Sequence, residues 1–310
     1  MAQATDPTLV SPVTQPVAAP AVMPTASALR VALVQMAPVL GNCKANLELH
    51  LNAIDAARAR GADLIVFPEL SLTGYFLRDM VPDVALARDA EPIRRMAEAA
   101  ADAALVVGFV EESSRHRFYN AAFFADEGRV RHVHRKVYLP TYGLFDEKRY
   151  FAAGERICAF DTARFGRVGI LVCEDFWHLS AITVMQAEEV DVLVCISNSP
   201  ARGVSGEHVR TAETYDRLTK TVAEMLGAWV VFVHRVGFED GLCFWGGSCL
   251  VAPDASVVAQ APYFDEALVV ASFDPAELRR QRILTPLARD ERLLLTIEEL
   301  QRIKRRRYAD

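Results

Sequence analysis

The stretch FGRVGILVCEDFWH, residues 165–178, sets the interpretation of the whole chain. Its apolar part, RVGILV at residues 167–172, is short and rich in branched side chains, as is typical of a buried strand. The strand pattern stops at Cys173, which is followed by two acids and two aromatic residues. A strand-to-helix turn of this kind lifts a nucleophile clear of the sheet, so we expect a surface-facing thiol. Alternatively, Cys173 is a small core residue, because a free cysteine packs like a compact hydrophobe.

Outward from this stretch, predicted strands alternate with predicted helices, which indicates a layered α/β fold. The turn signal at residues 126–128 joins two strands into a hairpin, so we expect mixed sheets. Since neither an internal repeat nor an interdomain linker is visible, residues 29–310 are predicted to form one domain. Strands are predicted at residues 29–36, 63–67, 104–110, 118–125, 129–138, 156–161, 167–172, 190–197, 229–235, 248–252 and 267–273. Helices are predicted at residues 42–60, 92–102, 181–189 and 207–226 and in the region from 275 onward.

Residues 1–28 differ in amino-acid composition from the rest of the chain. They consist mainly of Ala, Pro, Thr, Val, Ser and Gln, and Arg30 is the first basic residue. A secretory signal needs a basic start and an unbroken apolar centre, whereas prolines interrupt this segment repeatedly. The composition therefore predicts a disordered N-terminal extension.

Composition disfavours several classes of partner. The net charge of −6 argues against nucleic acid or an anionic membrane, and the basic clusters at residues 279–282 and 302–307 are interpreted as solvated helix faces. No run of about 18 apolar residues is present, so no membrane-spanning helix is expected. The six cysteines lack CxxC spacing, which disfavours a zinc site, and we predict neither a metal nor a cofactor. Scattered thiols in a chain of this length are typical of reduced cysteines in a cytoplasmic protein.

Three chemically useful side chains follow predicted strands. Glu69 comes directly after DLIVFP, Lys136 lies near the end of RVRHVHRKVYL, and Cys173 follows RVGILV. In layered α/β folds ligands gather beyond the carboxyl ends of strands, so these ends can deliver an acid, an amine and a thiol to one cleft. Each residue alone also has an ordinary interpretation, namely a solvated loop acid, a water-facing lysine and a core cysteine.

Together the three groups suit the cleavage of a carbon–nitrogen bond. A carboxylate takes the thiol proton and the thiolate attacks an amide carbonyl or a nitrile carbon. The ammonium of Lys136 stabilises thiolate and oxyanion, while Glu69 protonates the leaving amine and later activates water. No histidine is needed, although a Cys–His pair stays an alternative because none of the seven histidines has a distinctive partner pattern.

The motifs FPEL at residues 67–70, HRKVYLP at 134–140 and GILVCED at 169–175 resemble the nitrilase superfamily of carbon–nitrogen hydrolases. The resemblance covers about residues 29–275. It implies that Glu69 is the general base, Lys136 the electrostatic partner and Cys173 the nucleophile, and that Glu147 is a second glutamate that positions Lys136 and substrate. It also implies a four-layer α-β-β-α sandwich that pairs into homodimers or larger homo-oligomers.

Within the superfamily, YLPTYGLFDEKRYF, CEDFW and FWGGS look most similar to the glutaminase domains of glutamine-dependent NAD synthetases. That likeness implies that Tyr142 and Phe145 shape the pocket, that Glu174 receives the α-amino group of a glutamine-like substrate, and that Ser199 grips its polar end. Alternatively, the two aromatic residues only anchor a loop. The segment after Ser199 departs from the glutaminase pattern, which leaves Arg202 open as a substrate contact. We also expect the chain to lack the Gly-rich, ATP-using domain of the synthetases.

The sequence therefore predicts an amidase that releases ammonia from a small primary amide, such as glutamine, through a cysteine thioester. A nitrilase, an N-carbamoyl amide hydrolase and an ammonia-supplying glutaminase subunit of a separate synthetase are the alternatives. A catalytically silent scaffold is disfavoured, because such a protein usually lacks a catalytic side chain and all four are present here.

Overall fold

The computed structural model describes residues 28–205 and 208–308. The predicted N-terminal extension, residues 1–28, lies outside the described residues except for residue 28, and its disorder stays a prediction. Among the helices of the described ranges, none is both long and apolar enough to cross a bilayer.

Two six-stranded sheets form the body of the molecule. Across the first sheet the order is β16 (Ala267–Phe273), β1 (Leu29–Gln35), β2 (Leu64–Val66), β3 (Ala104–Glu112), β4 (Phe118–Asp126) and β5 (Arg129–Arg135). Across the second it is β15 (Val257–Gln260), β14 (Cys249–Val251), β11 (Trp229–His234), β8 (Val192–Ser197), β7 (Gly166–Val172) and β6 (Ala159–Thr162). Two small hairpins add β9 (Val204–Ser205) with β10 (His208–Val209), and β12 (Val236–Glu239) with β13 (Leu242–Trp245).

Both sheets are mixed, as predicted. In the first sheet β1, β2 and β3 run parallel and β4, β5 and β16 are antiparallel to their neighbours. In the second sheet β7, β8 and β11 run parallel, and the flanking strands are antiparallel. β5 and β6 are edge strands of their respective sheets.

The helices begin and end within a few residues of their predicted bounds. Asn42 caps the first by accepting a hydrogen bond from the Ala45 amide, as its position before the apolar periodicity indicates. The predicted helix 207–226 begins only at Arg210, because β9 and β10 pair directly before it. The helices are α1 (Cys43–Ala59), α2 (Val81–Val84), α3 (Glu91–Ala99), α4 (Glu147–Tyr150), α5 (Leu179–Ala187), α6 (Arg210–Leu226), α7 (Pro275–Leu284), α8 (Leu287–Asp290) and α9 (Leu293–Arg307).

Alternation along the strands builds four layers. In β1, Val31 and Leu33 point into a core between the two sheets, where side chains of β7, β8 and β11 meet them. The outer face of the first sheet packs on α1 and α3, and that of the second packs on α5 and α6. The predicted α-β-β-α sandwich with mixed sheets is therefore confirmed.

Candidate active site

Cys173 lies at the sharp turn that follows β7. Its backbone φ is 46°, a left-handed conformation that costs a residue with a Cβ about 1–3 kcal/mol and that recurs at functional sites. A 3-10 helix, Cys173–Trp177, begins at this residue, so the predicted strand-to-helix turn is present. The Asp175 carboxylate holds the turn by accepting a hydrogen bond from the Val172 amide at 3.1 Å.

The expectation that the thiol faces the surface is wrong, because Cys173 is only 6% exposed and packs into the core between the sheets. Its sulfur nevertheless has polar neighbours, with Ser197 Oγ and Tyr215 OH each 3.3 Å away. Burial, together with the negative charge of Glu69, raises the pKa of Cys173 to about 12, and Lys136 only partly opposes this rise. In the free protein the thiol is therefore neutral near pH 7.

Lys136 is the centre of a buried charge cluster. Its Nζ donates to Glu69 Oε1 at 2.8 Å and to Glu147 Oε1 at 2.7 Å, and the lysine itself is fully buried. Burial disfavours its charge, but Glu147 and Glu69 outweigh this effect and hold the pKa of Lys136 well above its ordinary value. Lys136 is thus a permanent cation whose charge acts on Cys173.

The turn after β5 is fixed by the same aspartate that holds the Cys173 turn. Strand pairing ends at Arg135, three residues before the predicted end, because the amides of Val137 and Tyr138 turn to Asp175 Oδ1 at 3.0 and 2.9 Å. His134 Nε2 lies 2.8 Å from the second oxygen of Asp175. One buried carboxylate therefore sets the relative position of Lys136 and Cys173.

Glu69 approaches the cluster because β3 carries a glycine beside it. A Cβ on Gly108 would lie 2.7 Å from the Glu69 Cα and closer still to neighbouring backbone atoms, so a larger residue would displace the turn. Glu69 Oε1 accepts from Lys136 and, at 2.7 Å, from Asn120 Nδ2. Its other oxygen, Oε2, is buried and has no hydrogen-bond partner among the described residues. One carboxylate oxygen is thus held and the other is left for a substrate or proton.

Glu147 lies at the start of α4 and is held from a second side by Tyr75, whose hydroxyl donates to Oε1 at 2.6 Å. Burial and the nearby Glu69 carboxylate raise the pKa of Glu147 to about 7, although Lys136 acts in the opposite direction. The backbone at Tyr75 is tied in turn to Glu239, a buried carboxylate paired with Arg235 at 2.5 Å. Glu147 is therefore held by a chain of buried polar contacts that runs through Tyr75 and Glu239 to Arg235.

The remaining predicted substrate residues lie in two separate parts of the structure. Tyr142 OH lies 3.0 Å from both oxygens of Glu174, and its ring packs edge-on against Phe145. The Arg202 guanidinium lies over the Phe145 ring at 5.2 Å. Burial, reinforced by Glu174, raises the pKa of Tyr142 to about 12, to which Cys173 also contributes. By contrast Ser199 is buried after β8, where its amide donates to His234 Nε2, and it makes no hydrogen bond to the other predicted residues within the described ranges.

Several neighbours of the cluster were missed by sequence reasoning. Asn120 had one signal, as a polar residue inside the apolar strand FYNAAFFA. Ser197 and Tyr215 had none, because a serine at a strand end and a tyrosine on an amphipathic helix are common, and only the fold brings them to the thiol. The Cys–His alternative finds no support among the described residues, where no histidine hydrogen-bonds to Cys173. Nor do these residues contain a group of three or more His, Cys, Asp or Glu able to hold a metal ion.

Comparison with known proteins bears on the family and the fold of this chain. The family model "Carbon-nitrogen hydrolase" matches residues 30–283. A glutamine-dependent NAD(+) synthetase of Acinetobacter baylyi is 31% identical over 254 residues, which cover 82% of this chain and 46% of that protein. The chain thus spans about half the length of such relatives.

Solved structures give the same result. The structure of glutamine-dependent NAD+ synthetase from Acinetobacter baumannii in complex with ADP superimposes with a TM-score of 0.72 at 30% identity, covering 81% of this chain and 47% of that one. A carbon-nitrogen hydrolase from Helicobacter pylori G27 superimposes with a TM-score of 0.77 at 22% identity, covering 88% and 99%, and supports the fold. The chain therefore belongs to the carbon-nitrogen hydrolase family and is an enzyme that acts on carbon–nitrogen bonds.

Proposed function

We propose that this enzyme hydrolyses the side-chain amide of a small amino acid, such as glutamine, and releases ammonia through a thioester on Cys173. The observation that carries the proposal is the buried cluster in which Glu69 and Glu147 hold Lys136 beside that thiol. Glu69 acts as general base, Lys136 as electrostatic stabiliser, Cys173 as nucleophile and Glu147 as positioning residue.

The first half-reaction follows from the protonation states. Because the Cys173 thiol is neutral, its proton must leave as the sulfur–carbon bond forms, and Glu69 Oε2 is the free base that takes it. The carbonyl electrons move onto oxygen, and the resulting oxyanion is stabilised by Lys136. Two of the three Nζ hydrogens are bound by Glu69 and Glu147, so one is left to donate to that oxyanion.

The thioester then forms and is hydrolysed. The protonated Glu69 gives its proton to the substrate nitrogen, the carbon–nitrogen bond breaks, and ammonia leaves. Water enters, transfers a proton to Glu69 and attacks the thioester carbon. The carbon–sulfur bond breaks, and the proton on Glu69 returns to the Cys173 sulfur, which restores the starting state.

The substrate class is inferred from the opposite charges at the outer residues. Glu174 is 12% exposed and lies beside Tyr142, and the Arg202 guanidinium lies over the Phe145 ring, which packs against Tyr142. The Arg202 Nε is buried without a hydrogen-bond partner among the described residues. A carboxylate and a guanidinium so placed suit the α-ammonium and α-carboxylate of an amino acid. This arrangement favours an amino-acid amide such as glutamine over a simple aliphatic amide and over an N-carbamoyl amino acid, whose α-nitrogen carries no charge. Ser199 stays a candidate contact to the polar end of the substrate.

The relatives that are glutamine-dependent NAD synthetases also support an ammonia-supplying role, and a separate synthetase is the partner to test by co-purification. We propose that residues 29–310 form one carbon–nitrogen hydrolase domain. We expect a homodimer or larger homo-oligomer, as the family resemblance implies, and a cytoplasmic location, which agrees with six free cysteines.

A panel of amides, nitriles and N-carbamoyl amino acids, assayed for ammonia release, tests the proposal. We expect the highest kcat/KM with L-glutamine or a similar ω-amide. Glu174→Gln should raise the KM for glutamine about tenfold, since a charge-assisted hydrogen bond contributes about 1.5–3 kcal/mol, and should leave the KM for propionamide unchanged. Release from nitriles alone, or equal KM changes for both amides, would contradict the substrate assignment.

A further inference from the structure

A second concave site lies along β5, the edge strand that leads to Lys136. It is a cavity of about 760 Å³, here called the basic groove, and is lined by parts of β5, β6 and β7, by the turn between β3 and β4, and by the segment before β6. Its volume is in the range of small-molecule sites. Neither Cys173, Lys136, Glu69 nor Glu147 lines it. The basic groove is thus distinct from the proposed active site.

Arginine dominates the lining of the basic groove although the chain as a whole is acidic, with a net charge of −6. Only two carboxylates, Glu155 and Glu188, line it. The guanidiniums come from five separate segments of the chain, so this is not one solvated helix face. The six arginines are Arg88, Arg115, Arg117, Arg135, Arg156 and Arg167.

Part of this lining is fixed in place. Glu111, only 1% exposed, accepts hydrogen bonds from both Arg88 and Arg135, at distances of 2.6–3.1 Å. The Arg135 guanidinium also stacks on the Tyr119 ring at 3.9 Å. A single buried carboxylate thus orients two guanidiniums and neutralises only one of their charges. Such preorganisation reduces the entropy lost when a ligand binds.

Other groups in the basic groove have unused hydrogen-bonding capacity. Arg115, Arg117 and Arg156 form no ion pair with any described residue. Two further lining atoms, His132 Nε2 and Arg167 Nε, are buried and have no hydrogen-bond partner among the described residues. The guanidiniums of Arg115, Arg117 and Arg156 therefore line a shared space without an ion-pair partner among the described residues.

We propose that the basic groove binds an anion that carries several phosphate groups. Guanidinium forks bind phosphate oxygens in pairs, and a compact oligophosphate can engage fixed and unpaired arginines at once. An extended acidic peptide is the competing occupant, since both β5 and β6 are edge strands. The size of the cavity and the convergence of its arginines favour the small anion.

Calorimetric titration of the full chain with inorganic tripolyphosphate, in 0.15 M salt where the Debye length is about 8 Å, tests the proposal. We expect saturable binding of one anion per chain, weakened at least about tenfold by Arg115→Ala/Arg117→Ala, as the loss of two charge-assisted contacts implies. The charge-matched control Arg94→Ala/Arg279→Ala changes two exposed arginines outside the groove and should retain the affinity. No saturable binding, equal weakening in both variants, or binding of a hexaglutamate peptide but not tripolyphosphate would overturn the proposal.

Cys158 provides a readout of location, because it lines the basic groove and is partly exposed. Tripolyphosphate should slow its alkylation by the uncharged reagent N-ethylmaleimide several-fold. Cys43 and Cys243 are also partly exposed but lie outside the groove, so their rates should not change. Equal protection of all three thiols, or no protection of Cys158, would contradict binding in the groove. None of these measurements depends on amide hydrolysis, so their failure leaves the proposed function untouched.

Discussion

Arg135 and Lys136 are neighbours in the chain, yet their side chains lie in different electrostatic environments. Lys136 is fully buried and bonded to two carboxylates, which leaves its charge fixed in a site without bulk water. The Arg135 side chain is 31% exposed and lines the basic groove, where guanidiniums outnumber carboxylates. The end of β5 thus separates a paired, buried cluster from an open, cationic surface.

The difference shows how burial decides what a charge can do. A buried ion pair costs several kcal/mol in desolvation, so removing one charged partner leaves the other buried without compensation. Exposed charges are screened by salt and cost little, so a surface can collect unpaired arginines. The cluster is suited to chemistry at one atom, and the groove is suited to reversible binding.

The largest expected effect follows from removing the nucleophile. Cys173→Ala should lower ammonia release by at least about four orders of magnitude, because loss of a covalent nucleophile removes the whole acyl-transfer route. Cys158→Ala, which removes a thiol from the basic groove, should keep the wild-type rate. Similar rates for the two variants in the ammonia assay would show that Cys173 is a core residue without a catalytic role.

The next largest effect is expected in stability, when one positive charge is removed from the buried cluster or from the basic groove. Lys136→Met leaves Glu69 and Glu147 buried without a counterion and should reduce the free energy of unfolding by about 3–5 kcal/mol at pH 7. Arg117→Met in the groove should change it by less than about 0.5 kcal/mol. Urea unfolding measures both free energies. An equal loss in the two variants would contradict the claim that the buried cluster and the basic groove differ in their dependence on paired charge.

A smaller effect should appear in the pH dependence of stability. The folded pKa of Glu147, about 7, lies above its ordinary value of 4.5, so the folded protein retains a proton that the unfolded chain releases. Its stabilising contribution is full below pH 4.5 and is lost as the pH rises to about 7, by a few kcal/mol at most, since one pKa unit corresponds to about 1.4 kcal/mol. Glu147→Gln should flatten that fall. A parallel pH profile of the urea midpoint in wild type and variant would contradict the raised pKa.

The smallest effect concerns the hydroxyl beside the sulfur. Tyr215 OH accepts from Trp177 Nε1 at 3.0 Å, so its own proton is available to Cys173. Tyr215→Phe removes a donor to the thiolate and should lower kcat/KM about tenfold, and it should slow alkylation of Cys173 by iodoacetamide to a similar extent. Tyr75→Phe, which removes a hydroxyl bonded to Glu147 rather than to the sulfur, is the matched control for alkylation. Equal alkylation rates in Tyr215→Phe and wild type would exclude this role.

Much of this architecture could be predicted because it is local or periodic. The strands that precede Glu69 and Cys173 are short apolar runs, and their alternation with helices indicates a layered α/β fold. The α-β-β-α arrangement itself, which the structure confirms, is implied by the family resemblance. Tyr215 and Asn120 could not be placed, since their roles depend on packing between elements distant in the chain. From the sequence, burial of the thiol is only an alternative, because the exposure of Cys173 depends on how the two sheets and α6 pack around it. The arginines of the basic groove come from five segments, none of which is distinctive alone.

The central claim is that Glu69, Lys136 and Cys173 act together on one amide carbon. Rapid acid quench during turnover of the best amide, followed by peptide mass mapping, tests it most directly. We predict an acyl group on the peptide containing Cys173, and no acyl group and no turnover in Cys173→Ala. An acyl group on a different residue, or ammonia release by Cys173→Ala at the wild-type rate, would contradict the account.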